Sequence, residues 1–320
     1  MSFVTRSTPT EKECHDLLVA SHNGDLPRIQ ELLHLGVSVN YTNAGGKFPL
    51  FYATIARRID AIQYLIRSGA SLDITARPEQ HTPLYIAVNT CYLDGVRILL
   101  AAGASPDIPD SLGRTPFVIA ISRSYLEIAR CLINHGGKFL DQPDHTGKTP
   151  LIYAMLEGYS EIVQNLIKAK VNVNHIGQDG KTPLHIAVIR GDGKMVESLL
   201  REGASVNCFD KFMTTPLYHA FRTDRECIAH ILLKEGAWVY ARAEHDEKTL
   251  WEFFTSISRI RPFLINSCST QIWSPQVHSL AKKSTQKMIE TIMKIWSLGE
   301  NAFLVSLAPE LLFHIFNFLL

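Results

Sequence analysis

Gly180-Lys181-Thr182-Pro183-Leu184-His185-Ile186-Ala187 is followed, sixteen residues after its alanine, by Gly203-Ala204-Ser205-Val206-Asn207. Thr-Pro suits a helix start, because proline at the first helical position loses no hydrogen bond and already has a helical φ. The small Ala187 lets a neighbouring helix approach closely. Leu199-Leu200 belongs to a second, antiparallel helix, and Gly203 ends that helix in a left-handed cap. A short β-branched stretch and a glycine-bearing turn come next. The stretch therefore predicts a helix–turn–helix with a projecting hairpin finger.

The same marks recur outward in both directions. A proline before a hydrophobic residue stands at 49, 83, 116, 150, 183 and 216, at intervals of 34, 33, 34, 33 and 33. Four residues after each comes an alanine (53, 87, 120, 154, 187, 220), and sixteen further on a small or turn-forming residue: Gly69, Gly103, Gly136, Lys170, Gly203 and Gly236. Apolar pairs such as Leu99-Leu100 and Leu166-Ile167 precede that position. A degenerate copy comes first, with Ala20, Leu32-Leu33, Gly36 and Asn40 in register and Asp16 where the others have proline. A terminal repeat that must face water departs in this way.

The period and the quoted octet resemble ankyrin repeats nearly residue for residue. Thr82-Pro83-Leu84-Tyr85-Ile86-Ala87 and Thr149-Pro150-Leu151-Ile152-Tyr153-Ala154 follow with small departures. The resemblance implies a mainly α ankyrin-repeat solenoid, helix-turn-helix units plus hairpin fingers, over residues 12–242 with about seven repeats. Residues 1–11 are then an N-terminal extension, and a C-terminal helical extension follows. The family implies binding, usually of protein, and does not say which protein.

The bulk composition agrees with a folded chain: 46% hydrophobic, 20% charged, formal net charge +1. Such a balance gives no reason to expect nucleic acid or an acidic membrane surface as partner. Six scattered cysteines without a C-x-x-C read as reduced thiols, mostly packed in helices. The first residues show no apolar leader, so the expected compartment is the cytoplasm, extending to the nucleus, and the expected state is a monomer. The sequon Asn40-Tyr41-Thr42 reads as chance on that view.

Catalytic and metal patterns fail on inspection. Gly147-Lys148-Thr149 and Gly180-Lys181-Thr182 end like a phosphate-binding loop, yet Gln142 and His175 stand where its first glycine is needed. Cys227 and His230 share a helical face, but two ligands do not make a zinc site. His185 sits where the ankyrin pattern has a histidine that hydrogen-bonds between repeats. The expectation is a protein with no enzymatic activity, no catalytic residue, no cofactor and no metal.

In ankyrin arrays, ligands mostly meet the hairpin tips and the exposed end of the first helix, along a concave groove. Carried over, the tips supply Leu112, His145, Gln178, Asp179, Phe209, Lys211 and Phe212, and the helix ends supply Arg123, Glu157, Arg190 and Arg222. Two phenylalanines on one polar turn suit a binding anchor, against the alternative that they pack on the neighbouring finger.

After residue 243 the period stops. Residues 243–300 read as a helical cap or linker, with apolar residues at helical spacing from Leu250 to Ile260 and from Val277 to Trp296. Residues 301–320 resemble an abbreviated F-box helix: Leu307, Pro309, Glu310, Leu311, Leu312, Ile315, Phe316 and Leu319 follow its pattern, with the proline displaced by one. Ankyrin repeats ending in such a helix resemble the PRANC architecture. That resemblance implies an adaptor that recruits a target to the Skp-type subunit of a cullin–RING ubiquitin ligase. Two other readings stay open, a cap on the solenoid and a tail anchor, the latter opposed by Glu310, whose burial in a bilayer costs about 3 kcal/mol.

Overall fold

The computed structural model describes residues 9–237. They fall into two compact units, one within Met1–Ile186 and the other within Ala187–Leu320. The described residues form fourteen α-helices: α1 Glu11–Asn23, α2 Leu26–His34, α3 Pro49–Ile55, α4 Ile59–Arg67, α5 Pro83–Asn89, α6 Leu93–Ala101, α7 Pro116–Ser122, α8 Leu126–His135, α9 Pro150–Glu157, α10 Ser160–Lys168, α11 Pro183–Arg190, α12 Gly193–Arg201, α13 Pro216–Arg222 and α14 Glu226–Lys234. Odd-numbered helices open the repeats and even-numbered helices close them. The result is the helical repeat array that the resemblance implies.

Local chemistry explains several of the helix starts. The hydroxyls of Thr82, Thr115, Thr149 and Thr215 accept the N–H three residues on, at 3.1, 3.5, 3.4 and 3.3 Å, and proline follows each as the first helical residue. The terminal repeat differs from expectation. Its first helix starts at Glu11, capped by Thr10, with the Glu13 carboxylate returning to the Thr10 N–H at 2.7 Å. Asp16 therefore lies inside α1 and pairs with Arg28 of α2 at 2.9 Å. The helix has thirteen residues and ends at Gly24, which takes the left-handed conformation.

The core lies between the helices. Leu32, Leu65, Leu99, Leu132, Leu166, Leu199 and Leu232, one per repeat, are fully buried. So are Leu17, Leu50, Leu84, Phe117, Leu151, Leu184 and Leu217 of the opening helices, to within one per cent. The repeat alanines 53, 87, 120, 154, 187 and 220 are equally inaccessible, which fits their role in close helix contact. In the first unit, α1 packs on α2 and α3, α5 on α6 and α7, and α7 on α8 and α9. In the second, α12 and α13 pack on α14.

Polar links join successive repeats. In the first unit the side chains of Asn40, Asp73, Asp107 and Asp141 accept the backbone N–H of Ser71, Ser105, Phe139 and Asn172, at 2.8, 2.9, 2.8 and 2.7 Å. Asn40 also donates to the Gly69 carbonyl at 3.3 Å, so its amide serves the fold. In the second unit Asn207 donates to the Gly236 carbonyl at 3.1 Å. The turn after each closing helix takes a positive φ, at Gly36, Gly69, Gly103, Gly136, Lys170, Gly203 and Gly236. Lys170 adopts it at 61°, which is why a lysine can hold a glycine position in the pattern.

The cysteines divide. Cys14 and Cys131 are half-buried in helices, Cys208 is half-buried in a loop, and Cys91 and Cys227 are exposed. None of these five is in a disulfide, but helical packing accounts for only two of them. Among the described residues no helix is long and apolar enough to cross a membrane.

Candidate functional site

Six finger turns project between repeats, closed by a backbone N–H at Asn43, Ala76, Asp110, Asp144, Gly177 and Asp210 to the carbonyl of Lys47, His81, Arg114, Lys148, Lys181 and Thr214. No strand forms among the described residues; the only pairing is an isolated bridge between Ala76 and His81. The fingers are too short for a ladder, and side chains organise them instead.

The organiser is a carboxylate that the sequence reading did not single out. Asp110, Asp144 and Asp210 are buried at the base of their fingers. In each, Oδ1 accepts the backbone N–H of the residues two and four positions on, all within 3.0 Å. The other oxygen takes a helix side chain: the Tyr85 hydroxyl donates to Asp110 at 2.8 Å, the Tyr153 hydroxyl to Asp144 at 2.6 Å, and His219 Nε2 lies 3.0 Å from Asp210. Arg114 adds Nε and Nη2 to Asp110 at 2.9 and 2.7 Å. Asn43 plays the same part in the first finger, accepting the Lys47 N–H at 2.9 Å and donating to the Tyr52 hydroxyl at 3.3 Å.

Burial pushes the three carboxyls up, but the hydrogen bonds outweigh it and hold each below the ordinary aspartate range. The tyrosines shift oppositely. Burial and the carboxylate beside it raise Tyr153 to about 12, and the same causes raise Tyr85. A depressed carboxyl contributes stability that is present above its unfolded pKa of about 3.9 and lost as pH falls through the lower folded value. The fingers should therefore loosen below about pH 4. Asp144→Asn copies the Asn43 arrangement, so it should cost less than about 1 kcal/mol at neutral pH and reduce the loss on acidification. Urea unfolding of both forms at pH 7 and pH 3 checks this; an undiminished acid loss in the variant would place the effect elsewhere.

With the fingers fixed in this way, the tips stand in solvent. Leu112 is 55% and Phe212 56% exposed, and His145, Gln178, Asp179 and Lys211 are exposed as well. Phe209 departs from expectation. It is half-buried, one residue ahead of the buried Asp210, so the sixth finger presents one phenylalanine fully and not two. Asp179 is paired with Lys181 at 2.7 Å. In the first unit, tips also bond to each other: His145 donates its N–H to the Leu112 carbonyl at 3.1 Å, and the Gln178 amide donates to the His145 carbonyl at 3.2 Å. At the helix ends, Arg123 and Glu157 of the first unit and Arg190 and Arg222 of the second are all exposed.

Two apolar residues missing from the sequence-based set join these. Ile176 is 62% exposed beside the fifth finger, and Met213 is 43% exposed beside Phe212. The signal for Ile176 was an aliphatic residue directly before the turn glycine Gly177. His185 is fully buried, and its Nδ1 accepts the Thr182 N–H at 3.2 Å, a bond within its own repeat. Among the described residues no cluster of three or more His, Cys, Asp or Glu could hold a metal.

A family model described as ankyrin repeats matches three times, over residues 17–110, 102–176 and 158–243. The chain belongs to the ankyrin-repeat family. This fold is typically a non-enzymatic protein-interaction module, and as an ankyrin protein the chain is a protein-binding one. Among solved structures it resembles the ankyrin repeat domain of Bcl-3, titled a unique member of the IκB protein family. That likeness has a TM-score of 0.59 and 27% identity, covering 68% of this chain and 97% of that one. Palmitoyltransferase Hip14 of Drosophila melanogaster is 35% identical over 98 residues, 31% of this chain and 15% of that enzyme. The putative ankyrin repeat protein YahD of Escherichia coli is 29% identical over 126 residues, 38% of this chain and 59% of the relative. Both matches cover less than two thirds of the relative's own length.

Proposed function

We propose that this chain is a protein-binding adaptor. Its target meets the fingertips and helix ends, at Leu112, Arg123, Glu157, Gln178, Asp179, Arg190, Phe209, Lys211, Phe212 and Arg222. The observation that supports this surface is the exposure of Leu112 and Phe212 on fingers whose bases are fixed by buried carboxylates. A rigid turn carrying an exposed apolar side chain binds without a large ordering cost. The proposal divides the chain into residues 1–11 as an extension, 12–242 as the repeats, 243–300 as a cap or linker and 301–320 as the F-box-like helix.

The second half of the adaptor is the stripe from Leu307 to Leu319, which lies outside the described residues and rests on sequence alone. On this proposal it docks in a groove of the Skp-type subunit of a cullin–RING ligase, raising the local concentration of the target near the ligase. The adaptor works as a monomer in the cytoplasm, or in cytoplasm and nucleus both. Removing residues 301–320 should abolish co-purification of Skp-type and cullin subunits while leaving target binding and repeat melting nearly unchanged. Retention of those subunits by the truncated chain would remove the ligase assignment. A truncation that lowers the melting temperature would instead make the segment a cap.

The likeness to Bcl-3 favours a second reading, in which the repeats mask a partner such as an NF-κB-type factor without recruiting a ligase. Stoichiometric binding of such a factor by the truncated chain would support it.

A further inference from the structure

Each finger turns through one residue of positive φ: Gly46, Gln80, Gly113, Gly147, Gly180 and Met213. Glycine is the economical choice there, because a Cβ in the left-handed region is strained. In places the neighbouring finger demands it too. A Cβ on Gly113 would lie 2.5 Å from the His145 ring, and one on Gly46 would lie 3.2 Å from the Arg77 nitrogen. Met213 holds φ at 55° and still carries a long apolar side chain, 43% of it in solvent. The backbone bond that needs this φ, from the Met213 N–H to the Asp210 carbonyl at 3.0 Å, would form equally well with glycine. The side chain is only partly buried, and glycine would suit its backbone better.

The neighbours give the site a chemical character. Phe212, 56% exposed, precedes it, and the exposed Lys211 precedes that. Asp210, the finger's only carboxylate, is buried and occupied by the Phe212 and Thr214 N–H groups and His219. Lys211 makes no ion pair among the described residues, nor does the exposed Arg222 at the end of α13 in the same repeat. Among the described residues, then, the tip offers an apolar pair with an unpaired Lys211 beside it.

We propose that Met213 is retained for binding at the cost of stability. Together with Phe212 it anchors an apolar side chain of the target protein whose flanking residues are acidic. This rests on the fingertip surface proposed above and adds a residue and a partner chemistry to it. A residue kept for binding alone has opposed effects when replaced, and a residue kept for packing does not.

The test uses the full chain and a phage-displayed library of random peptides. Selection should enrich peptides with an aromatic or aliphatic residue flanked by Asp or Glu. Met213→Gly should raise the melting temperature by about 2–4 °C and weaken the selected peptides about ten-fold or more. Lys211→Glu should weaken them as well, at unchanged melting. Phe212→Ser, a substitution at an exposed site, supplies the control. If Phe212→Ser abolishes binding while Met213→Gly binds like the parent, the inference fails and the fingertip surface stands. If neither matters, or no peptide is enriched, both fail. Basic flanks in the selected peptides, or a lower melting temperature for Met213→Gly, also overturn the inference.

Discussion

Phe117→Ala is expected to cost about 3–5 kcal/mol, the upper range for a single core truncation. Phe117 stands where the other six opening helices have leucine, and it is fully buried. Its ring meets Phe139 edge to face, with centroids 5.4 Å apart and planes at 72°. Such pairs add about 0.5–1.5 kcal/mol beyond burial. Phe139 is itself fully buried, and its backbone is tied by the N–H to Asp107 Oδ1 at 2.8 Å, which opposes a shift of this segment into the space. The ring also packs closely on Gly137, where an added Cβ would lie 2.7 Å from it. A wall held in this way should collapse little, and the cavity term of the penalty should stay high. Urea unfolding followed by circular dichroism measures the loss. A cost under about 1.5 kcal/mol would mean that the helices close over the gap.

That pair shows where sequence reading stops. The period of 33 and the proline, alanine and glycine positions were legible because each repeat meets the same steric demand. Proline starts a helix, alanine admits a neighbour and glycine turns the chain, whatever lies nearby. A Phe117–Phe139 contact breaks the repeat at two places that compensate each other, and periodicity reports only what recurs. The turns between paired helices escaped for a similar reason. All seven have positive φ, but only Gly24, Gly158 and Gly191 are glycine; Arg57, Cys91, Ser124 and Asp224 hold the rest. Four of the seven positions bear the left-handed strain with a side chain in place of glycine, so composition does not mark them.

The binding surface was legible in position and less so in detail. Its location follows from the fold, because tips and helix ends are the parts of a repeat that no neighbour covers. Which tip residue faces out depends on the local turn, and one residue of register separates the half-buried Phe209 from the buried Asp210. Met213 was passed over because a residue at a glycine position reads as a substitution for glycine, not as a side chain with a task. The tail, by contrast, was read from its own pattern and falls outside the described residues.

The finger carboxylates carry the second large prediction. Asp110→Ala should cost about 2–4 kcal/mol, since it strands several buried donors at once. The Leu112 and Arg114 N–H groups lose their acceptor, and so does the Tyr85 hydroxyl, which reaches Asp110 from the preceding repeat. Arg114 is left with a half-buried guanidinium whose two bonds at 2.9 and 2.7 Å are gone. The same change in the fifth finger has no counterpart, because Gly177 occupies the equivalent place and the exposed Asp179 serves Lys181 instead. Two features distinguish the expected outcome from a general weakening. Asp110→Asn should retain more stability than Asp110→Ala, because an amide oxygen still accepts the two backbone donors, as Asn43 does for Lys47. Hydrogen exchange should also accelerate first at residues 111–114, before the core of α7, because the turn loses its organiser while the Phe117 cluster keeps its own contacts. Equal stability for the alanine and asparagine variants would show that the carboxylate's charge on Arg114, and not its support of the turn, is what the repeat depends on.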